Sequence, residues 1–355
     1  MKKKIKNIEI NEGEAGSFYS YLSNGCKLCQ QGAKMVLFVT GSCTNNCFYC
    51  PISDERIDKK TVYANEESVV SDIDVLSQAR KMSALGTGIT GGEPLMVLEK
   101  TIYYIKLLKK NLGEKHHIHL YTSYSPTKDI LKRLLIAGLD EIRFHPPLSM
   151  WKYLNSTKYI TSILAAKELG LETGIEVPSI EGIEHLIENI NDLDIFLNLN
   201  ELEFSDTNSN KMIDLNYRLK DDISNAAMFS REYALKVASS MPKFHFCSSR
   251  YKDAIQLRRR LIRIAKNTAR PFDEITNDGT IVYGIIKADH IKDVVTILTT
   301  EGVPTDMFEM GESSITIAWW ILDDISNVLT SNGFECTIIE KYPLTNGLVV
   351  ASIPL

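Results

Sequence analysis

The sequence of 355 residues predicts an α/β protein, a (βα)6 partial TIM barrel followed by a C-terminal ferredoxin-like α+β domain. Two observations predict this fold class. From Met35 to about Ser205, short apolar runs alternate with longer segments of helical period, which is the pattern of a parallel sheet built from βα units. From Pro271 onward the elements follow the order β-α-β-β-α-β with one extra strand, which is typical of a ferredoxin-like sandwich.

The barrel part should alternate strands and helices. The strands are the short apolar runs, and the helices are the longer periodic stretches between them. Predicted strands cover 35–40, 87–90, 117–122, 141–145, 173–177 and 201–205, and predicted helices cover 66–84, 98–112, 127–138, 155–169 and 182–197. Two of these helices end at Gly138 and Gly170, because glycine adopts the left-handed conformation at a helix C-terminus.

Four segments are expected along the chain. They are an N-terminal segment with a Cys-x2-Cys pair over 1–34, the barrel over 35–205, a helical bridge over 206–270 and the small domain over 271–355. The bridge should contain helices at 222–240 and 251–268. In the small domain, strands are predicted at 280–286, 307–310, 314–318, 336–340 and 348–353, with helices at 289–301 and 320–332.

Composition and charge are those of an ordinary globular protein, with 44% hydrophobic and 24% charged residues. No stretch reaches the roughly eighteen apolar residues of a membrane span. The net charge of -5 gives no sign of nucleic-acid binding by the chain as a whole. Five of the seven cysteines fall within 26–50, which favours metal ligation in a reducing compartment over disulfides. We therefore expect a cytoplasmic protein.

A cysteine triplet follows the first predicted strand. Cys43, Cys47 and Cys50 have the spacing Cys-x3-Cys-x2-Cys, and Tyr49 lies directly before the last of them. Three thiolates on one loop can hold three irons of a cubane [4Fe-4S] cluster, and the fourth iron is left open to another ligand. Structural zinc sites prefer closed sets of four ligands, so an isolated triplet fits zinc poorly.

A second motif, Gly91-Gly92-Glu93-Pro94, follows the next predicted strand. Two adjacent glycines let a backbone approach a ligand closely, whereas a lone Gly-Gly pair usually marks only a turn. Together the two motifs resemble the radical S-adenosylmethionine (radical SAM) superfamily. Within it, the chain most resembles the subgroup similar to pyruvate formate-lyase activating enzymes and archaeal-type uncharacterised members.

The resemblance implies the chemistry. The open iron of the [4Fe-4S] cluster would bind SAM, and an electron passed through the cluster would cleave SAM to methionine and a 5'-deoxyadenosyl radical that abstracts hydrogen. An electron donor such as ferredoxin or flavodoxin is then needed. The motif Gly91, Gly92, Glu93 would contact the methionine amino group of SAM. On later strands, SAM contacts are expected from Ser123 or Thr122 and from other residues at the strand ends: Arg143 for the carboxylate and Glu176 for the ribose, with His145 facing the substrate.

A second metal site is predicted outside the triplet. Cys26 and Cys29 form a Cys-x2-Cys knuckle, and His245 and Cys247 lie two residues apart on an extended run, so their side chains point the same way. Together they predict a Cys3His site for zinc or an auxiliary iron-sulfur cluster. The alternative is an unpartnered pair with Cys247 buried as a small hydrophobe. Cys336 is expected in the core.

Two other clusters are expected to be ordinary. The basic face of the helix from Gln256 to Lys266 could bind nucleic-acid phosphates, but the acidic chain favours a solvated amphipathic helix. His117 and His119 share one strand face while His116 takes the other. Solvated or substrate-facing histidines are therefore expected here rather than a metal site.

The substrate stays open between RNA, a protein and a small metabolite. A small domain beside a basic helix gives a slight preference for a macromolecule. A glycyl-radical enzyme activase is one alternative, although the minimal activases have no such C-terminal domain. A zinc-stabilised binding protein without SAM chemistry is the alternative from another class.

Overall fold

The computed structural model describes residues 8–355, and these divide into two compact units. Among the described residues, the first unit extends to Arg80 and then from Ala84 to Leu257. The second comprises Lys81–Ser83 and Arg258–Leu355. Within the described part of the chain, no helix is both long and apolar enough to span a membrane.

The strands of the first unit form one sheet. They are β1 (Asn11–Glu12), β2 (Phe18–Tyr19), β3 (Lys34–Phe38), β4 (Val62–Ala64), β5 (Glu67–Val69), β6 (Gly86–Thr90), β7 (His117–Thr122), β8 (Glu141–Phe144), β9 (Glu172–Ser179), β10 (Phe196–Glu201) and β11 (Phe244–Cys247). Their order in the sheet is β1-β2-β11-β10-β9-β8-β7-β6-β3-β4-β5. All neighbours from β11 to β3 pair in parallel, and the strands outside them pair antiparallel. The fold is therefore mixed α/β with a large parallel sheet, which is consistent with a radical SAM fold.

The α-helices of this unit lie before β3 or in the connections between the parallel strands. They are α1 (Asn24–Gln30), α2 (Asp72–Lys81), α3 (Leu98–Leu112), α4 (Lys128–Ala137), α5 (Lys158–Glu168), α6 (Ile183–Ile190), α7 (Ser209–Asp214) and α8 (Ser230–Ala238). Thr127 and Thr157 cap α4 and α5 by accepting backbone N–H groups. Gly138 and Gly170 follow the same two helices with φ of 109° and 88°, as the sequence predicts.

The strands β3, β6, β7, β8 and β9 lie where the sequence predicts them, within a few residues. The prediction of a helix to 197 and a strand at 201–205 is wrong. The helix α6 ends at Ile190, and Asp194 adopts a left-handed φ of 50° just before β10. The apolar run at 195–199 therefore belongs to the strand, although it continues the helical period of 182–190. The predicted helix at 66–84 is also too long, because its first residues form β5.

The two faces of the parallel sheet differ in chemistry. Every second side chain faces the same way in a strand. One face carries polar side chains that are at most 9% exposed: Lys34, His119, Arg143, Glu176 and Asn198. The other face is apolar and fully buried: Leu37, Ile89, Leu120, Phe144, Val177 and Leu199. Burying polar groups is costly unless they are hydrogen-bonded or paired, so a buried polar face of this size indicates a functional role.

The helix α1 lies against this polar face. The Gly25 N–H donates to Glu141 Oε2 at 2.9 Å. Ser23 caps the helix by accepting from the Cys26 N–H at 3.3 Å, and its hydroxyl donates to Glu141 Oε1 at 3.1 Å. The Cys-x2-Cys pair therefore sits on a helix that is tied to the start of β8.

The second unit contains one antiparallel sheet. Its elements are α9 (Leu257–Thr268), which begins at the last residue of the first unit, then β12 (Glu274–Ile275), β13 (Ile281–Lys287), α10 (Ile291–Thr300), β14 (Phe308–Met310), β15 (Ser314–Ile317), α11 (Trp319–Ser331), β16 (Glu335–Lys341) and β17 (Val349–Pro354). The strand order is β14-β15-β13-β16-β17, with β12 paired to β13. Cys336 is 3% exposed in the core beneath α10 and α11, as expected.

Candidate active site

The two sequence motifs are joined through their backbones. The Gly92 N–H donates to Thr40 O at 2.7 Å, and the Glu93 N–H donates to Ser42 O at 2.8 Å. A Cβ atom at Gly91 would lie 2.5 Å from Thr40 O, and one at Gly92 would lie 2.4 Å from Ser42 O. Glycine is therefore required because the chain that leads to the cysteine loop runs directly against this turn.

A cavity of about 490 Å³ opens at the carboxyl ends of the parallel strands, and both motifs line it. This volume is in the range of ordinary small-molecule sites. The lining includes all three cysteines of the triplet, both glycines of the second motif, and Ser123, His145 and Glu176. The structure thus brings the metal and cofactor candidates from five strand ends into one space.

The triplet fits an iron-sulfur cluster in its donor chemistry. Cys43, Cys47 and Cys50 are free thiols on one loop. Burial raises the pKa of Cys43 and Cys47, and the charge of the neighbouring Cys50 raises both further. Thiols held protonated in this way become thiolates when positive charge is bound beside them, and a cluster of irons would supply it.

The cysteine loop is held from several sides. Phe48 stacks on Tyr217 with ring centroids 5.4 Å apart, and Asn208 Nδ2 donates to Tyr49 O at 3.2 Å. The Tyr49 hydroxyl lies 2.9 Å from His145 Nε2, and His145 Nδ1 lies 2.7 Å from Glu176 O. Since a carbonyl only accepts, Nδ1 carries the proton and Nε2 accepts from Tyr49. His145 lines the cavity with both ring nitrogens engaged by the protein.

The Glu93 side chain does not face the cavity, which differs from its predicted contact with SAM. It is fully buried. Its Oε1 accepts from the Leu95 N–H at 2.9 Å and the Thr122 hydroxyl at 2.8 Å, and its Oε2 accepts from the N–H and the hydroxyl of Ser123, both at 2.6 Å. The carboxylate therefore fixes the end of β7 beside the second motif. Ser123, which also accepts from Asn45 Nδ2 at 2.7 Å, reaches the cavity from that end.

Arg143 also lies elsewhere than predicted. It is 2% exposed and absent from the cavity lining. Its Nε donates to Glu141 at 2.5 Å, its Nη1 to Glu176 at 2.5 Å and to Tyr121 at 3.1 Å, and its Nη2 to Ser23 at 3.0 Å. Nη2 also donates to Cys26 Sγ at 3.5 Å, so protein partners take all five N–H groups and the guanidinium has none left for a SAM carboxylate. Arg143 instead balances the two buried glutamates.

Glu176 reaches the cavity and keeps its charge. Its Oε2 accepts from Arg143 Nη1 and from Asn198 Nδ2 at 3.1 Å, and its Oε1 accepts from Asn200 Nδ2 at 2.8 Å. Burial alone would raise the pKa, but the Arg143 charge and the two amides lower it to about 2. An ionised carboxylate held in this way can accept hydrogen bonds from hydroxyl groups of a ligand.

The predicted second metal site lies on the polar face. Cys26 Sγ accepts from Asn198 Nδ2 at 3.3 Å, and Cys29 Sγ accepts from Gln256 Nε2 at 2.6 Å. Burial raises the pKa of the Cys26 thiol, but Arg143 and His245 outweigh it and bring the pKa to about 6. Cys247 is near enough for the other two thiols to raise its pKa beyond the effect of burial.

These four residues do not form a closed tetrahedron. Among residues 8–355, no three of them bring ligand atoms within 4.8 Å of one another. Zinc–sulfur bonds of about 2.3 Å require closer ligands than this. In the present arrangement Cys26 Sγ accepts from both Asn198 Nδ2 and Arg143 Nη2, and Cys29 Sγ accepts from Gln256 Nε2.

Sequence reasoning missed several residues of the site. Asn200, Glu203 and Lys252 line the cavity, and Lys252 forms an ion pair with Glu203. Asn198 and Asn200 alternate with leucines along β10, a period-two pattern that would have indicated a strand with one polar face. The signal is hidden because this run also continues the helical period of the segment before it, which favours a longer helix and a later strand.

Comparison with known proteins gives two family matches and one full-length relative. Residues 37–147 match the radical SAM superfamily, and residues 279–355 match a domain of unknown function, DUF8061. The chain is 37% identical over 370 aligned positions to "Putative glycyl-radical enzyme activating enzyme MJ0021" of Methanocaldococcus jannaschii, covering 98% of this chain and 97% of that protein. Both units are included in this alignment.

The first match contains the cysteine triplet and the second motif, which the structure brings to one cavity. The relative extends the similarity over nearly the whole chain. The chain therefore belongs to the radical SAM superfamily, in its part similar to pyruvate formate-lyase activating enzymes, and is an enzyme of SAM radical chemistry.

Proposed function

We propose that this enzyme activates a protein substrate by abstracting a hydrogen atom from a glycine residue. The observation that carries the proposal is the 37% identity over 98% of the chain to a relative whose name describes a glycyl-radical enzyme activating enzyme. That relative is aligned through the second unit as well. The C-terminal domain is therefore no argument against activase function, contrary to the doubt raised by the minimal activases. Small metabolites and RNA are the alternative substrates.

The cofactors follow from the family and the donor set. Cys43, Cys47 and Cys50 would hold a [4Fe-4S] cluster, which, when reduced by a ferredoxin or flavodoxin, supplies the electron that cleaves SAM. The backbone at Gly91 and Gly92 forms one wall of the cofactor space. Glu93 acts on the cofactor only through the position of Ser123.

The cavity residues would orient SAM by hydrogen bonding. The ionised Glu176 offers acceptor oxygens to the ribose hydroxyls, and Ser123 offers its hydroxyl oxygen. His145 and Tyr49 stay bonded to each other and keep the cysteine loop against the cavity. Glu203, just after β10, and Lys252, in the helical turn after β11, line the same cavity, where a substrate segment would meet them. We propose that these groups, and not the Arg143 guanidinium, bind SAM.

We also propose the finer fold and segment assignments. The winding order of the parallel strands from β3 to β11 supports a partial TIM barrel, with the seventh strand, β11, beyond the six predicted. In the second unit, the order β14-β15-β13-β16 supports a ferredoxin-like β-α-β-β-α-β arrangement extended by β17. The segment limits 1–34, 35–205, 206–270 and 271–355 stand as a proposal; residues 1–7 lie outside the described part.

We also propose that the Cys-x2-Cys pair together with His245 and Cys247 binds an auxiliary iron-sulfur cluster rather than zinc. Its support is the shared region of Cys26, Cys29, His245 and Cys247 on the polar face. A Cys247→Ala protein should lose iron beyond that of the SAM-cleaving cluster. Unchanged iron would remove the site.

Isotope transfer tests the proposed function. Proteins of the source organism are labelled with deuterated glycine and incubated anaerobically with the reconstituted, reduced enzyme and SAM. We expect deuterium in the 5'-deoxyadenosine product, and a protein-based radical signal in electron paramagnetic resonance. Deuterium-free product in the presence of all labelled proteins would contradict glycine abstraction. Deuterium from labelled RNA instead would assign that alternative. The matched control is the Cys47→Ala enzyme, which should give no product.

A further inference from the structure

We propose that His117, His119 and Glu141 bind a divalent transition-metal ion, with zinc as the reference ion, at a site separate from the cysteine triplet. Two histidines and one carboxylate are a ligand set that suits zinc and its first-row neighbours. The ligand atoms of the three side chains all lie within 4.8 Å of one another. His117 and Glu141 begin β7 and β8, at the strand ends opposite the cavity, and His119 pairs with Glu141 in register.

Three of the four ring nitrogens of this cluster have no hydrogen-bond partner among the described residues, although His117 Nε2 lies 3.5 Å from Glu141 Oε2. Within residues 8–355, both nitrogens of His117 and the Nδ1 of His119 are buried without one. His119 is fully buried, and the His117 side chain is 13% exposed. Buried polar atoms are nearly always paired, so orphaned nitrogens beside a carboxylate point to a group that binds there. The partial exposure of His117 gives an ion a way in.

The sequence expectation for these histidines was different. The shared face of His117 and His119 is confirmed by the strand geometry, but His119 is fully buried, the His117 side chain is only 13% exposed, and neither lines the cavity. The register that places Glu141 beside His119 belongs to the pairing of β7 with β8. A ligand from a second strand cannot be found from the histidine spacing alone.

Space for an ion exists because residue 25 is glycine. A Cβ atom on Gly25 would lie 2.6 Å from His119 Nδ1, 3.0 Å from Glu141 Oε2 and 2.6 Å from Arg143 Nη2, so the guanidinium also borders this space. The missing side chain leaves a small cradle between α1 and the two ligands. Glycine at position 25 thus leaves room beside the unpaired Nδ1 of His119 and the carboxylate of Glu141.

The protonation states suit a metal, whereas two neighbouring cations, Lys34 and Arg143, oppose it. Burial lowers the pKa of both histidines, and Arg143 lowers the pKa of Glu141 against the effect of burial. Neutral imidazole and ionised carboxylate are the ligating forms. Lys34 Nζ lies 3.2 Å from His119 Nε2, and Arg143 is already paired with Glu141 and Glu176. The Lys34 charge should weaken binding without preventing it.

Metal analysis of the cluster-loaded, full-length enzyme tests the site. After anaerobic dialysis against zinc, we expect about one zinc ion per chain, as for a single mononuclear site. The ion should be lost in His117→Gln and in His119→Gln. His185→Gln, at an exposed position of α6, is the matched control, and Cys247→Ala distinguishes the predicted cysteine site. Zinc retained by both histidine variants, or lost only in Cys247→Ala, would overturn the proposal.

A second variant should bind zinc more tightly instead of losing it. When His119 binds the ion through Nδ1, its Nε2 carries the proton and donates, so the Lys34 ammonium opposes binding by its charge and as a second donor. Lys34→Gln removes the charge and offers an amide oxygen to the Nε2–H, so zinc affinity should rise about tenfold. Zinc should also raise the Tm of the wild-type enzyme, because a ligand of the folded state stabilises it, but not the Tm of His117→Gln. The zinc-free Tm of His117→Gln reports whether that variant is folded. An equal zinc-induced shift in both proteins would contradict the site.

Discussion

Glu93 shows how a residue can be essential to a site without facing its ligand. The sequence motif predicts that Glu93 lies close to the cysteine triplet, and it does. However, its carboxylate bonds Thr122 and Ser123 rather than pointing into the cavity. Sequence spacing identifies which residues lie together at strand ends, but not which donor forms a hydrogen bond with each carboxylate oxygen. That depends on hydrogen bonds between strands, which a single sequence does not display.

A Glu93→Gln variant tests this positioning role. The amide would present N–H donors to the Ser123 N–H and hydroxyl, leaving buried groups unpaired at a cost of about 1–3 kcal/mol. We expect kcat/KM for SAM cleavage to fall by roughly tenfold or more, through KM for SAM, with iron content unchanged. Glu99→Gln, whose side chain is 77% exposed, is the control. Unchanged kinetics in Glu93→Gln would contradict the role.

Glu176 should make stability depend on acid pH. Its folded-state pKa of about 2 is below the ordinary value of 4.5. A lowered pKa contributes stability that is complete above the unfolded-state value and is lost as pH falls toward the folded-state value. Urea unfolding between about pH 5 and pH 2 should therefore show a shallower loss for Glu176→Gln than for the wild type. Equal slopes, with Glu99→Gln as the control, would contradict this assignment.

At the scale of elements, the junction between β3 and β6 determines whether the cysteine loop is in place. The turn at Gly91 and Gly92 lies against Thr40 and Ser42, closer than any side chain permits. The strands themselves were predictable because their apolar runs are short and bounded by turn residues. The strand β10 was not, because its apolar residues continue the period of α6.

Gly91→Ala tests this junction. A Cβ atom 2.5 Å from Thr40 O must push the cysteine loop away from β6. We expect a large loss of iron after reconstitution, measured together with the absorption of the cluster, while far-UV circular dichroism stays close to that of the wild type. Thr44→Ala, which removes only an exposed hydrogen bond to Tyr124, is the matched control. Full iron loading of Gly91→Ala would contradict this account.

At the scale of the whole molecule, the sequence predicts two regions of different architecture, and most of their elements lie close to the predicted limits. It does not reveal the buried polar face of the large sheet, because that face is assembled from single residues of many strands. Lys34, Arg143 and Asn198 come together only through the register of those strands. The motifs thus located the cavity, whereas the network beneath it required the structure.

The central claim is that the two motifs form one SAM-cleaving site. The most direct test is the formation of 5'-deoxyadenosine by anaerobically reconstituted enzyme with SAM and dithionite, followed by chromatography. The wild-type enzyme should give methionine and 5'-deoxyadenosine in equal amounts, and Cys47→Ala should give none, whereas Cys336→Ala should retain the activity. Failure of an iron-loaded wild-type enzyme to form 5'-deoxyadenosine, or undiminished formation by Cys47→Ala, would contradict the claim.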